Sequence, residues 1–208
     1  MNTAVILAGG FSERFGQDKG LVRLMGKPLI LHVFDRACEI VEEVTVVVRS
    51  QRQRKAYLPL FPKKTRILAD IKDSQSPLVG ALTGFANSEG DYSILLPCDT
   101  PFISGKVMKL LFKTSQGMDA VIPRWPNGYV EPLQAVYRTG PALTAAEEAI
   151  DKRETRLMGM ISRLKRVRYI STEAIKELDP SLVTFFNVNT KADLGEAEKV
   201  IKQGAAGY

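Results

Sequence analysis

What most restricts the fold of this chain is a rhythm: short apolar runs, each followed by a loop and then by a segment of helical periodicity. Residues 3–7 (TAVIL) are stopped by Ala8-Gly9-Gly10, the pattern of a parallel strand buried on both faces and closed by a tight turn. Over 28–41 the apolar residues Leu29, Ile30, Val33, Phe34, Ala37, Ile40 and Val41 fall on one face at 3.6-residue spacing, with Pro28 where a helix starts. A second β-branched run at 44–48, a basic helix-like segment and a shorter run at 66–68 follow. Residues 77–87 suit a helix and 92–96 a strand stopped by Pro97. Ser104 then caps an amphipathic stretch, 107–112, that leads to a strand at 120–122.

Parallel strands need crossover connections, and helices must cover both faces of the sheet they make. The expectation is therefore a doubly wound, mainly parallel α/β sheet of Rossmann-like type, as one domain spanning 1–208. The tail departs from the rhythm. Trp125-Pro126-Asn127-Gly128 is turn-rich and leads to 129–138, read as extended and antiparallel. Helices are expected at 141–150 and 155–164, a strand at 166–170 and a last strand at 184–188. Thr190 and Asp193 are spaced as a capping box for a final helix running to about Gln203.

Composition narrows the class. With 208 residues, 45% hydrophobic and 25% charged, the chain is long enough for one core and unlike a disordered, collagenous or fibrous sequence. No run approaches the ~18 apolar residues of a membrane span. The start lacks a basic leader, and residues 4–8 are too short for a signal-peptide core, so a cytoplasmic protein is expected. Cys38 and Cys98 cannot build a disulfide framework and have no zinc-ligand neighbours, while His32 is the single histidine. A His-based metal site or a Ser-His-Asp triad is thereby disfavoured, and His32 reads as a packing residue. The net charge is +6, and residues 105–170 carry all of the excess, 12 basic side chains against 6 acidic. That favours an anionic ligand there, with Arg124, Arg138, Arg153 and Arg156 as candidates, although a solvated basic face gives the same count.

In open α/β sheets, ligands bind beyond the carboxyl ends of the strands. The first such loop, LAGGFSERFGQDK over 7–19, pairs adjacent glycines with Arg14 and Lys19, which suits a triphosphate; the plain alternative is a structural turn. It has neither the Gly-Lys-Ser/Thr triplet of a P-loop nor a Gly-x-Gly fingerprint. In Pro97-Cys98-Asp99-Thr100-Pro101, two prolines hold Asp99 at the rim as an expected surface carboxylate. A single Asp suffices for Mg2+, which binds through one or two carboxylates plus phosphates and water; the alternative is an Asx-turn. Cys98 reads as a small buried hydrophobe. Asp70 and Asp73 follow the third strand, and Gly80 inside a helix pattern points to close approach of a ligand or a neighbouring helix. Asn187 and Asn189, two residues apart at the end of the last expected strand, share a face.

LAGGFSERFGQDK, CDTP, EPLQAVY and NVNT together resemble the molybdenum cofactor guanylyltransferase family of nucleotidyltransferases, over about residues 2–200. The first motif marks only the superfamily, and the other three mark the branch. The resemblance implies transfer of GMP from GTP to molybdopterin in its molybdenum-loaded form, with release of pyrophosphate and with Mg2+. It implies that Leu7, Ala8 and Gly9 contact the nucleotide, Gly10 and Arg14 line the triphosphate path, and Lys19 binds phosphate. Asp70 then corresponds to a nucleotide-contacting acid, Asp99 to the magnesium ligand, and Asn187 and Asn189 to amides near the acceptor and the metal. Arg14, Lys19 and Asp99 form the expected catalytic set. Some members have Asn where Arg49 stands, and the stretch from Asp70 to Pro77 is one residue shorter than in some relatives. Base selection, and the choice of Asp70 or Asp73, stay open at this point.

The expected partners are GTP and molybdopterin, with transient contacts to cofactor-biosynthesis or acceptor enzymes, in a monomer or weak homo-oligomer. One rival is a Mg2+-dependent nucleotidyltransferase using CTP, ATP or GTP on another phosphorylated acceptor. A nucleic-acid-binding protein is the other, raised by the basic balance; no platform of aromatic residues interleaved with Lys and Arg supports it.

Overall fold

The apolar runs at 3–6, 45–48, 93–96 and 120–123 are buried inside one sheet, whereas its edge runs at 66–69 and 167–171 are partly exposed. The computed structural model describes residues 1–9, 11, 12, 15, 17–70 and 76–204. Its main sheet contains β1 (Asn2–Leu7), β2 (Glu43–Val48), β3 (Arg66–Ala69), β4 (Tyr92–Pro97), β5 (Ala120–Arg124), β6 (Ala135–Arg138) and β7 (Val167–Ser171), in the order β7-β5-β6-β4-β1-β2-β3. All run parallel except β6, which is antiparallel to both neighbours. The mainly parallel, doubly wound α/β expectation is met.

Side chains alternate along each strand, so one strand feeds two cores. Ala4, Ile6, Ile94 and Leu96 face one side, with α1 (Leu29–Cys38), α2 (Gln51–Tyr57) and α4 (Gly105–Thr114) packed there. Val5, Val47 and Leu95 face the other, against α3 (Pro77–Ala86), α5 (Thr139–Asp151) and α6 (Leu157–Ile161). Leu95 is wholly buried at the sheet centre, and truncating such a leucine to Ala costs ~2–5 kcal/mol. A Cβ added at Gly84 would stand 2.2 Å from Val5 Cγ1, so α3 lies directly on β1 and needs glycine there.

The winding places the site. From β1 the chain steps outward through β2 and β3, then returns along α3 to β4, on the other side of β1. The gap between the loops after β1 and β4 is the topological switch point, where a crevice opens.

Three expectations change. Residues 184–188 form no strand: Val183–Phe185 is a 3-10 turn after Leu182 at φ 51°, and Val188 donates its N–H to the Asp99 carbonyl at 2.8 Å. Burial explains the apolar run, since Phe185 and Val188 pack into two different clusters. The helix expected over 155–164 is only Leu157–Ile161, and of 129–138 only Ala135–Arg138 is strand. The capping box does form: Thr190 Oγ1 accepts from Asp193 N–H, and Asp193 Oδ2 accepts from Thr190 N–H, starting α7 (Lys191–Lys202). Among the described residues no helix is long and apolar enough to cross a membrane.

Candidate active site

Three side chains from distant parts of the chain meet at the switch point. Lys19 Nζ lies 2.8 Å from Asp99 Oδ2 and 2.5 Å from Asn189 Oδ1. Lys19 follows β1, Asp99 follows β4, and Asn189 precedes α7.

Each is held from outside. Asp18 caps the short 3-10 turn Lys19–Leu21, with Oδ1 accepting from Gly20 N–H at 3.1 Å and from the Tyr57 hydroxyl at 2.6 Å. Its other oxygen accepts from Gln53 Nε2, which also donates to the Ala8 carbonyl at 2.6 Å. Helix α2 thus fixes the turn that aims Lys19. Asp99 sits in a turn tied by Thr100 Oγ1 to the Pro97 carbonyl at 3.2 Å and by Cys98 N–H to the Leu7 carbonyl at 3.2 Å. Asn189 N–H donates to Asp193 Oδ2 at 2.9 Å, so the helix cap also orients the amide.

Asp99 is 9% exposed, which corrects the expected surface carboxylate: the 183–189 segment closes over its loop. Its carboxylate serves Lys19 rather than an Asx-turn. Two hard oxygens, Asp99 Oδ2 and Asn189 Oδ1, converge on one cationic centre, a donor set that suits Mg2+ completed by phosphate and water. Among the described residues no group of three His, Cys, Asp or Glu offers an all-protein metal cage.

A cavity of about 580 Å3 opens above this triad, within the ~300–1,000 Å3 usual for small-ligand sites. Lys19, Pro97, Cys98, Asp99 and Asn187 line its centre. On the β1–β2–β3 side stand Leu7, Gly9, Arg49, Asp70 and Gly80; on the other side Tyr129, Glu131, Pro132, Leu133 and Gln134. Burial pushes the Asp70 carboxyl up to about 6, with the Thr83 side chain pulling it back, and among the described residues its buried Oδ1 has no hydrogen-bond partner. Gly80 is close to Leu7 Cδ2 and Asp70 Oδ1, at 3.3 and 3.7 Å from a built Cβ; the approach is to the strand end and the acid, not to a helix. Asn187 Nδ2 donates to the Phe185 carbonyl at 3.0 Å.

Of the sequence candidates, Leu7, Gly9, Lys19, Asp70, Asp99 and Asn187 line the cavity, and Asn189 joins it through Lys19. Ala8 is buried with its peptide bonded to Val47 and Gln53. Gly10, Arg14 and Asp73 lie outside the described residues. Arg124, Arg138, Arg153 and Arg156 do not line the cavity. Arg124 lies over the Tyr169 ring at 5.3 Å, and Arg138 pairs with Tyr92 at the opposite end of the sheet. Other basic residues of 105–170 are spent on ion pairs, Arg163 with Glu148 and Glu154, Arg166 with Asp119. His32 is buried on Leu24 O, as expected of a packing residue, and burial pushes the Cys98 thiol well above its usual range.

A model of the MobA-like NTP transferase domain matches residues 4–167. The chain belongs to this family. Molybdenum cofactor guanylyltransferase of Desulfosudis oleivorans is 31% identical over 204 residues, covering 97% of this chain and 96% of that protein. The crystal structure of molybdopterin-guanine dinucleotide biosynthesis protein A from Archaeoglobus fulgidus superposes with a TM-score of 0.84 at 28% identity, covering 98% of this chain and all of that one. At 13% identity, 4-diphosphocytidyl-2C-methyl-D-erythritol synthase from Anaerococcus prevotii shares the fold, with a TM-score of 0.71 over 97% of this chain and 96% of that one. As an NTP transferase of the MobA-like family, the chain keeps its triad at the crevice its topology provides.

Sequence reasoning missed Gln134. Its φ of 102° lies outside even the small left-handed well, a strain of ~1–3 kcal/mol. Its N–H donates to Leu95 O at 2.7 Å and its Nε2 to Thr184 O at 2.7 Å, anchoring the segment that carries Asn187. Nothing local in EPLQAVY signals this. Asp18 was readable, since an Asp just before a short turn is a cap.

Proposed function

We propose that this chain transfers GMP from GTP to molybdopterin in its molybdenum-loaded form, releasing pyrophosphate and forming the guanine dinucleotide cofactor. Carrying this reading is the Lys19–Asp99–Asn189 cluster at the base of a cavity with two unlike walls. The family, and the names of relatives aligned over nearly the whole chain, support the same substrates.

The reaction forms a bond between an acceptor phosphate oxygen and the α-phosphorus of GTP, and breaks the α–β bridging bond. A phosphate monoester, with a second pKa of ~6, is mostly dianionic at neutral pH, so no general base is required. That agrees with a cavity lining that includes no histidine. The obstacle is charge repulsion between the two phosphates. An ammonium has three donors; among the described residues Lys19 uses two, on Asp99 and Asn189, which leaves one for a phosphate oxygen. Its fixed turn makes that donor preorganised. Asp99, with the Asn189 side-chain oxygen beside it, would hold Mg2+, which when bound neutralises phosphate oxygens and helps align attack. Leu7, Gly9 and Asp70 serve the nucleotide, with Ala8 bracing that loop through its backbone. Gly10 and Arg14 belong to the triphosphate path, and Asn187 and Asn189 serve the acceptor. The enzyme works in the cytoplasm as a monomer or weak homo-oligomer.

The test incubates the protein with each of the four triphosphates, Mg2+ and molybdenum-loaded molybdopterin, and follows pyrophosphate. Release with GTP alone is expected. Equal release with CTP or ATP, or none with any of them, overturns the reading.

A further inference from the structure

The wall opposite the β1 loop is made by the connection from β5 to β6, and it ends on an uncovered ring. Tyr129 is 60% exposed although it lines the cavity. A loose turn is not the reason. Tyr129 N–H donates to Asn127 Oδ1 at 3.0 Å, its carbonyl accepts from Trp125 N–H at 2.8 Å, and Gly128 at φ 87° closes the turn.

Val130 pairs with Arg124 and packs into the core beneath, so its neighbours Tyr129 and Glu131 both turn towards the cavity. Glu131 is fixed as well: Oε1 accepts from Trp125 Nε1 at 2.7 Å, and the Trp125 ring packs edge-on against Phe185 with centroids 5.6 Å apart. Among the described residues no second donor meets the Glu131 carboxylate. The wall therefore offers an aromatic face, an anionic acceptor with spare capacity and the apolar Pro132 and Leu133. These features suit a flat heterocycle that carries N–H donors on its edge.

We propose that Tyr129 and Glu131 form the subsite for the acceptor's ring: the phenol stacks on the 2-amino-4-oxopyrimidine plane of a pterin, and the carboxylate accepts from its ring N–H and amino group. This rests on the reaction proposed above and places the end of the acceptor remote from its phosphate. Guanine displays the same edge, so the chemistry alone admits either ring. The acceptor is favoured because the nucleotide loop, Leu7 and Gly9, lies on the opposite wall.

Steady-state kinetics with GTP and molybdopterin varied separately test this in the wild type, Tyr129→Ala, Tyr129→Phe and Glu131→Gln. Tyr129→Ala is expected to raise the acceptor KM about tenfold to a hundredfold, with the GTP KM and Tm unmoved. Tyr129→Phe keeps the ring and stays close to wild type, while Glu131→Gln raises the acceptor KM severalfold. An unchanged acceptor KM in both Tyr129→Ala and Glu131→Gln overturns the subsite. A rise confined to the GTP KM overturns the acceptor assignment and gives the wall to guanine. Titration with free pterin, read by its own fluorescence, separates the two layers of inference: wild-type binding that Tyr129→Ala abolishes supports the subsite even if no pyrophosphate is released. Absence of pterin binding together with unchanged kinetic constants sinks it.

Discussion

Replacing Gly20 by Ala tests whether Lys19 is aimed by the packing beneath it. A Cβ at Gly20 would stand 2.3 Å from the Tyr57 hydroxyl and 3.2 Å from its Cζ. Tyr57 cannot retreat: it is wholly buried, its ring stacks on Phe61, and its hydroxyl is bonded to Asp18. Overpacking of this kind costs ~1–3 kcal/mol, and losing a hydrogen bond to a carboxylate another ~1.5–3 kcal/mol. With partial relaxation we expect a loss of about 3 kcal/mol, or about 6–12 °C in Tm for a domain of this size. Tyr57→Phe deletes the colliding atom. In that background the nearest obstacle is Cζ, which a shift of a few tenths of an ångström relieves, and Gly20→Ala should cost about 1 kcal/mol. The four proteins of this cycle, measured by urea denaturation, should therefore show a coupling energy of about 2 kcal/mol. Pyrophosphate release should fall in Gly20→Ala and partly return in the double variant. Additive stabilities, or a Gly20→Ala enzyme as active as wild type, would refute the reasoning.

Lys19→Ala should lower kcat/KM by about 10²- to 10³-fold, because a preorganised cation is lost where charge builds up; near-normal turnover in a folded variant removes Lys19 from the mechanism. Asp99→Asn keeps the shape of the turn but not the anion, so half-saturation by Mg2+ should move up about tenfold, and superimposable magnesium curves would exclude Asp99 as the ligand. Asp70→Asn should change how stability depends on pH. The folded carboxyl titrates near 6 rather than 3.8, so the unfolded chain ionises first and wild-type stability falls as pH rises between the two values. The Asn variant should lack that decline and be relatively more stable above pH 6; parallel urea midpoints across this window would show that Asp70 is not the cause.

The centre of the sheet was legible because its inner strands are buried on both faces and so read as unbroken apolar runs, as at 3–7 and 92–96. The segment 184–188 has the same look for a different reason: Phe185 and Val188 are buried by two separate clusters, and burial alone does not pair a strand. Lys19, Asp99 and Asn189 could each be named from their motifs, yet their meeting depends on strand order, which spacing does not encode. Charge counting misled for a physical reason. Over 105–170, Arg163 and Arg166 pair with carboxylates, Arg124 lies over the Tyr169 ring and Arg138 sits at the opposite end of the sheet, whereas the cations that line the cavity among the described residues, Lys19 and Arg49, come from the balanced part of the chain. Gln134 was illegible because its strain is a property of the backbone path between β5 and β6.

The reversed strand β6 has a consequence for how this architecture can diversify. Because it runs backwards, the ribbon entering it emerges at the rim where β1 and β4 deliver their loops, instead of crossing a face of the sheet. Two stretches of chain distant in sequence thus overlook one cavity from opposite banks. A lineage can redraw one bank to accept a new molecule while leaving the other bank, and the lysine between them, as inherited.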